Sequence, residues 1–305
     1  MTAGSSRLRP LATRSPTSCA ASGAGFADVA EASTGSARSG AIGYDVGMSE
    51  PVVVTERRDN VLILRLNRPE ARNSFNAAVM DALGAGVLEA EATADLRAIV
   101  VTGTGDRAFC AGMDLAAFAS GEGMSATDPA NMAAFGRLLT GQVAVPLVAA
   151  TQATAVAGGL ELLLACDVAV ASSEARFGLP EVKRGLFAAG GGTALTQRLP
   201  FAVAMELLLT GDTIPADRAL AIGLVNAVVA PAEVLDAAIE LAERIARNGP
   251  LGLAATKELA RLALSDPAAY AERFAHWQPL VFGSEDAKEG ATAFVEKRDP
   301  VWKGR

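Results

Sequence analysis

The chain has 305 residues, half of them hydrophobic, and a formal net charge of −7. That length permits one large core or two smaller ones, and the acidic balance, with no Lys/Arg-rich block, shows no nucleic-acid footprint. His276 as the single histidine excludes metal sites that need two or more imidazoles, and Cys19, Cys110 and Cys166 form neither a CxxC pair nor a disulfide framework.

The dispersed cysteines fit a reducing, cytoplasmic setting. No apolar run reaches the roughly 18–20 residues of a membrane helix. Residues 1–47 are dominated by Ala, Gly, Ser and Thr, with Arg7, Arg9, Arg14 and Arg38 set against Asp28, Glu31 and Asp45. No apolar period runs through them, so they are expected to be disordered. The acids count against a transit peptide, and a secretory signal's apolar stretch is missing. Met48-Ser49-Glu50-Pro51 reads like a natural N-terminus, so the expectation is an over-long start, with a plain disordered tail as the second reading.

Residues 48–230 are expected to form an α/β core. Val52-Val53-Val54-Thr55 and Val61-Leu62-Ile63-Leu64-Arg65-Leu66 read as a hairpin with a polar turn over residues 57–60. Asn76 is placed to cap a helix whose Val79, Met80, Leu83 and Val87 share one side. Buried strands follow at residues 98–102, 146–150 and 167–171, alternating with helical patterns, which predicts much parallel pairing. From Pro231 onward only helical patterns remain, over about residues 231–247, 250–264, 267–281 and 284–297, so residues 231–305 are expected to be a helical region.

Three segments are candidates for chemistry. Ala108-Phe109-Cys110-Ala111-Gly112-Met113-Asp114-Leu115 follows a strand and leads into a short helix; its plain explanation is a tight turn that needs glycine. Ala157-Gly158-Gly159-Leu160-Glu161 opens an apolar helix, whose first turn has unpaired N–H groups and partial positive charge, suited to an oxyanion. Glu161 there either complements the helix dipole or has a task, since a carboxylate among leucines is costly. Phe177-Gly178-Leu179-Pro180-Glu181-Val182 places Glu181 after a proline in an extended apolar segment, free or paired with Lys183 or Arg184. Two carboxylates in one pocket divide acid and base work when their environments separate their pKa values.

Asn67-Arg68-Pro69-Glu70-Ala71-Arg72-Asn73-Ser74-Phe75-Asn76 resembles the opening motif of the crotonase, or enoyl-CoA hydratase/isomerase, family. The segments at 108–115 and 157–162 resemble its two oxyanion segments, and residues 177–186 resemble the stretch bearing its second glutamate. Ala293-Phe294-Val295-Glu296-Lys297-Arg298 resembles its closing helix. The resemblance covers about residues 50–305 and implies a crotonase-like spiral of strand-strand-helix repeats with a C-terminal helical trimerisation region. It implies an acyl-CoA substrate, with no cofactor beyond that coenzyme A, and a homotrimer or a hexamer built as a dimer of trimers, with neither nucleic acid nor membrane as partner. It places the N–H groups of Ala111 and Gly158 around the thioester oxygen and Glu161 and Glu181 on either side of a catalytic water. Glu161, near a helix N-terminus, is expected to be biased towards its ionised form. Arg72 and Ser74 are candidate substrate or CoA contacts, position 109 (Phe109) is included with its role open, and Phe294 and Lys297 are candidate contacts of the CoA nucleotide.

Both glutamates being present favours an enoyl-CoA hydratase over an isomerase, which in this family usually keeps one. Two departures stand out: Ala157 replaces a third glycine, and Ala188-Ala189 replaces a Pro-Gly pair before Gly190-Gly191-Gly192. Alternatives are double-bond isomerisation, carnitinyl-CoA-type dehydration, thioester hydrolysis and a non-catalytic CoA-binding or RNA-associated paralogue. A Clp-type serine protease needs a Ser-His-Asp set, and His276 lies far along the chain from any nucleophile. Cys110 is read as packing.

Overall fold

The computed structural model describes residues 50–120 and 128–305. The expectation of disorder over residues 1–47 lies outside the described residues. β1 (Val53–Arg58) and β2 (Val61–Leu66) form the expected hairpin, but Arg58 pairs directly opposite Val61. The turn is therefore the two residues Asp59 and Asn60, with Asp59 at φ +48°. A two-residue hairpin needs such positive φ values to match strand twist, and pairing with β2 draws Arg57 and Arg58 out of the expected turn into the strand.

α1 (Ala77–Ala92) starts at Asn76, whose side chain accepts the Val79 N–H, as the sequence predicts. Then come β3 (Ala98–Gly103), β4 (Ala108–Cys110), α2 (Leu115–Ala119), α3 (Pro129–Leu139), β5 (Leu147–Thr151), β6 (Thr154–Val156), α4 (Gly158–Ala165), β7 (Val168–Ser172) and β8 (Arg176–Gly178). After α5 (Phe201–Thr210), β9 (Ile214–Pro215), α6 (Ala216–Ala221) and β10 (Ala227–Val229), the chain ends in α7 (Val234–Ala246), α8 (Pro250–Ser265), α9 (Pro267–Gly283) and α10 (Glu285–Glu296). The four C-terminal helices fall where the sequence places them, except that residues 231–233 form a 3-10 turn before α7.

The strands make two sheets, in the orders β1-β2-β3-β5-β7-β10 and β4-β6-β8-β9. From β3 to β8 each turn of the chain contributes one strand to each sheet before a helix returns it, a strand-strand-helix spiral. Strands β2, β3, β5, β7 and β10 are mutually parallel, and β3 and β5 are buried on both faces. The two-residue period of a strand divides their side chains between two cores. Ile99, Val101, Leu147 and Ala149 face α1, α3, α4 and the small sheet. Ala98, Val100, Val148 and Ala150 face Val234, Ala238, Ile239 and Ala242 of α7. Each fully buried Val, Leu or Ile contributes about 1.5–3 kcal/mol.

The small sheet, too short-stranded to announce itself in the sequence, positions the site. Its strands β4, β6 and β8 are adjacent and parallel. Each is followed directly by one of the three chemical segments: residues 111–114 after β4, α4 after β6, and the 3-10 turn Pro180–Arg184 after β8. The C-terminal ends of parallel strands are where such folds present ligand sites.

Candidate active site

Those three segments line one cavity of about 360 Å³, with walls from Phe75, Met80, Met113, Leu115, Phe135, Leu139, Ala157, Gly158, Leu186, Phe187 and Ala189. Its charged lining residues are Glu161, Glu181 and Arg184. Phe75 and Phe135 meet edge to face at 5.7 Å between ring centres, closing the apolar floor. Glu161 and Glu181, 20 positions apart in sequence, therefore share one pocket. Glu181 does not lie in an extended segment as expected; Pro180 starts a 3-10 turn, because proline's fixed φ suits a first helical position. Nor is Glu181 spent on its neighbours: Lys183 pairs with Asp212 at 2.5 Å and Arg184 donates to the Pro180 carbonyl at 3.4 Å.

The two carboxyls differ in surroundings. Glu161 is 7% exposed, and the Gly192 N–H donates to its Oε1 at 2.9 Å. Burial raises its pKa above the ordinary value, while the N–H groups of Gly192 and Gly190 pull it down. The expected bias of Glu161 towards the ionised form is thus reversed in net direction, since desolvation by the leucine-rich surroundings outweighs the local field. A Cβ on Gly190 would stand 2.5 Å from Oε2 of the carboxylate, and one on Gly192 would stand 2.5 Å from the Ala188 Cβ and 3.1 Å from Oε1. Glu181 is also raised, first by burial and further by the charge of Glu161. Its Oε2 is buried with no hydrogen-bond partner among the described residues, a costly state for an idle group.

Backbone donors stand opposite. The Gly158 N–H is the first of α4 and has no acceptor among the described residues. Ala111 does not fill the role given to it: its N–H donates to the Arg72 carbonyl at 3.1 Å, and Ala111 does not line the cavity. The next N–H, of Gly112, faces the Cys110 Sγ at 3.3 Å. Met113 lines the cavity, and its N–H has no acceptor among the described residues. The reason is geometric. Gly112 turns the chain at φ +87°, and Phe75 pairs with Met113 in a parallel bridge that engages the Gly112 carbonyl and the Asp114 N–H at 2.7 and 2.9 Å. The Met113 N–H shares a trans peptide with the engaged Gly112 carbonyl and so points the opposite way. A Cβ on Gly112 would stand 2.6 Å from Gly158 N, so the two donor segments are packed backbone to backbone.

Ala157, in the position of the missing glycine, adopts φ +52° and ψ −132°, a region that L side chains enter only under strain. Ala189, from the second departure, lines the cavity. The Arg68 guanidinium reaches the Asp114 carboxylate at 3.1 Å, and Asp114 caps α2 through the N–H groups of Ala116 and Ala117. Those N–H groups and Arg68 hold Asp114 below the usual carboxylate range.

Of the remaining candidates, Arg72 is exposed and Ser74 buried, and neither lines the cavity. Phe109 is fully buried in the main core and does not line the cavity. Phe294 and Lys297 sit exposed at the end of α10. Burial pushes the thiols of Cys110 and Cys166 up to about 12, which keeps both as packing thiols rather than nucleophiles. The sequence reading did not find Met113, the donors Gly190 and Gly192, or the floor residues Phe135 and Leu139. Only the glycine run at 190–192 left a local signal.

Two carboxylates of unlike environment share an apolar cavity with N–H groups that have no acceptor among the described residues, an arrangement suited to acid–base chemistry with a stabilised oxyanion. The family model described as enoyl-CoA hydratase/isomerase matches residues 56–305. The chain belongs to that family and is an enzyme of the crotonase type. A carnitinyl-CoA dehydratase from Salmonella paratyphi A is 39% identical over 266 residues, covering 85% of this chain and all of that protein. The crystal structure of an enoyl-CoA hydratase from Mycobacterium tuberculosis is 46% identical, with TM-score 0.77, covering 84% of this chain and 100% of that one. A carnitinyl-CoA hydratase from Mycobacterium avium is 42% identical, with TM-score 0.67 and the same coverage.

Proposed function

We propose that the protein is an enoyl-CoA hydratase that adds water across the 2,3 double bond of a 2-enoyl-CoA thioester bearing an uncharged, apolar acyl group. The carrying observation is the pair Glu161 and Glu181 in one apolar cavity, with Glu181 Oε2 buried and without a partner among the described residues. Addition of water builds negative charge on the thioester oxygen, and the N–H groups of Met113 and Gly158 stabilise that enolate more than the neutral thioester; losing one such donor costs about 2.7–4 kcal/mol of barrier. Glu161, held in place by the Gly192 N–H although burial raises its pKa above the ordinary value, orients the water and takes its proton. Glu181, whose pKa is raised first by burial and then by the nearby charge of Glu161, delivers a proton to the α-carbon. The chemistry needs no cofactor beyond the coenzyme A of the substrate.

Hydration or dehydration of a carnitinyl thioester is the second reading, favoured by relatives of that name. A trimethylammonium group is held by aromatic faces or a further carboxylate; Phe75, Phe135 and Phe187 line the cavity, but beside the two glutamates the charged lining residue is Arg184, which repels a cation. The test is hydration of crotonyl-CoA beside crotonobetainyl-CoA, with Glu161→Gln and Glu181→Gln as controls. Each variant is expected to lose at least about 10²-fold in turnover while still binding CoA thioesters. Near-normal turnover in either variant would transfer the assignment to a single-acid isomerase, and preferred turnover of crotonobetainyl-CoA would transfer it to the carnitinyl reaction.

A further inference from the structure

Behind the acyl cavity lies a second, larger one of about 700 Å³ between α8 and the core. Glu161 and Leu139 line both, and Gly190 of the first is followed in sequence by Gly191 of the second. The partition is thus one glutamate side chain, one leucine and one glycine turn pressed against the carboxylate. The two spaces differ in character. The acyl cavity is walled mainly by Phe, Met, Leu and Ala side chains, whereas the second sets Asp167, Gln197, Arg198 and Lys257 among apolar side chains such as Leu164 and Leu253. Its charges are fixed in place: Lys257 donates to Asp167 Oδ2 at 2.9 Å and to the Val145 carbonyl at 2.8 Å, and Arg261 to Asp167 Oδ1 and the Ala165 carbonyl at 2.8 and 2.7 Å. A roomy cavity with many polar partners holds water, whereas an apolar one stays dry.

We propose that this polar basin is the water port of the active site, exchanging the reacting water through the Glu161 partition while the thioester occupies the acyl cavity. The proposal rests on the hydratase reading. In the dehydration direction, the C3–O bond breaks, the α-proton passes to Glu181, and the departing hydroxide takes the proton held by Glu161, forming one water beside the bound enoyl thioester. That water leaves into the basin and a solvent water replaces it before the enoyl thioester dissociates. No oxidant or further reactant enters the balance.

The test uses the full-length enzyme with 3-hydroxybutyryl-CoA in oxygen-18 water. Label entering the 3-hydroxyl is compared with the rate at which enoyl-CoA is released. Wild-type enzyme is expected to incorporate label several times faster than it releases enoyl-CoA. Ala260→Leu on α8 and Ala194→Leu on the opposite wall fill the basin from exposed positions. Both are expected to bring the exchange down to the release rate, with KM and melting temperature unchanged. Using two walls guards against a local folding defect in either variant. Excess exchange that survives in both folded variants would overturn the port, as would its absence in wild type. A loss confined to long-chain thioesters, appearing in KM and sparing the crotonyl substrate, would assign the basin to an acyl tail instead. Wild type that hydrates no enoyl thioester would remove the hydratase reading and the port with it, whereas turnover without excess exchange would remove the port alone.

Discussion

Replacing Asn73 should loosen the whole donor side of the site, and the cost follows from its contacts. Asn73 is 1% exposed and sits at φ +55°. Its Oδ1 accepts the Arg68 N–H at 3.0 Å, and its Nδ2 donates to the carbonyls of Thr104 and Ala108 at 3.0 and 2.8 Å. One side chain thereby ties the 67–75 loop to the end of β3 and the start of β4, the strand that leads to Met113. Asn73→Ala removes three buried hydrogen bonds at about 1 kcal/mol each, and alanine in the left-handed region adds about 1 kcal/mol more. The expected loss is about 4 kcal/mol, or about 8–16 °C in melting temperature at this chain size. Asn73→Gly loses the same bonds without the backbone cost, so it should melt above Asn73→Ala. Asn73→Asp keeps the acceptor but turns a carboxylate towards two carbonyl oxygens. The folded-state pKa of the new group is then raised, and its destabilisation should grow as pH rises through the carboxylate range and fade in acid. Urea unfolding of the three variants, with turnover measured in parallel, checks the reasoning. A loss under about 1 kcal/mol for Asn73→Ala would refute the claim that this side chain holds the donor loops.

Glu161→Gln should stabilise the fold at neutral pH while abolishing turnover. The folded-state pKa of Glu161 is raised, so wild type loses stability as pH climbs from about 4.3 through that raised value, and the amide does not titrate. The variant's melting advantage should therefore be absent in acid and complete at neutrality; equal melting at about pH 7 would contradict it. Ala157→Gly should release about 1–3 kcal/mol of backbone strain against about 0.5–1 kcal/mol of added chain entropy. A net gain of about 1 kcal/mol is expected in urea unfolding, and a net loss would show that the alanine methyl packs usefully. Phe282, Phe294 and Val295 are 80%, 84% and 79% exposed near the C-terminal end, more apolar surface than a monomer leaves uncovered without purpose. Light scattering should give the mass of three or six 31.1 kDa chains, and a monomer at micromolar concentration would exclude the trimer.

What the sequence made legible, and what it hid, divides along a physical line. Strands β3, β5 and β7 were readable because burial on both faces demands an unbroken apolar run. α7 was readable because its apolar positions recur at the helical period on one face. β4, β6 and β8, at three residues each, are too short to carry any period, and their pairing is between residues tens of positions apart. Yet these are the strands that bring Met113, Glu161 and Glu181 together. The site divides in the same way. Carboxylates are visible as letters, so Glu161 and Glu181 could be named. An N–H donor is present at every residue but proline, and which one is free depends on peptide orientation. Here that orientation is set by Gly112 at φ +87° and by the bridge from Phe75; the Ala111 N–H is engaged by the Arg72 carbonyl, and that of Met113 is left without an acceptor among the described residues. The direction of the Glu161 pKa shift is the sharpest instance. Its helix position is local and argues for ionisation, whereas its burial is collective and argues against it. The collective effect wins, because removing solvent from a carboxylate costs more than a partial charge at a helix end returns.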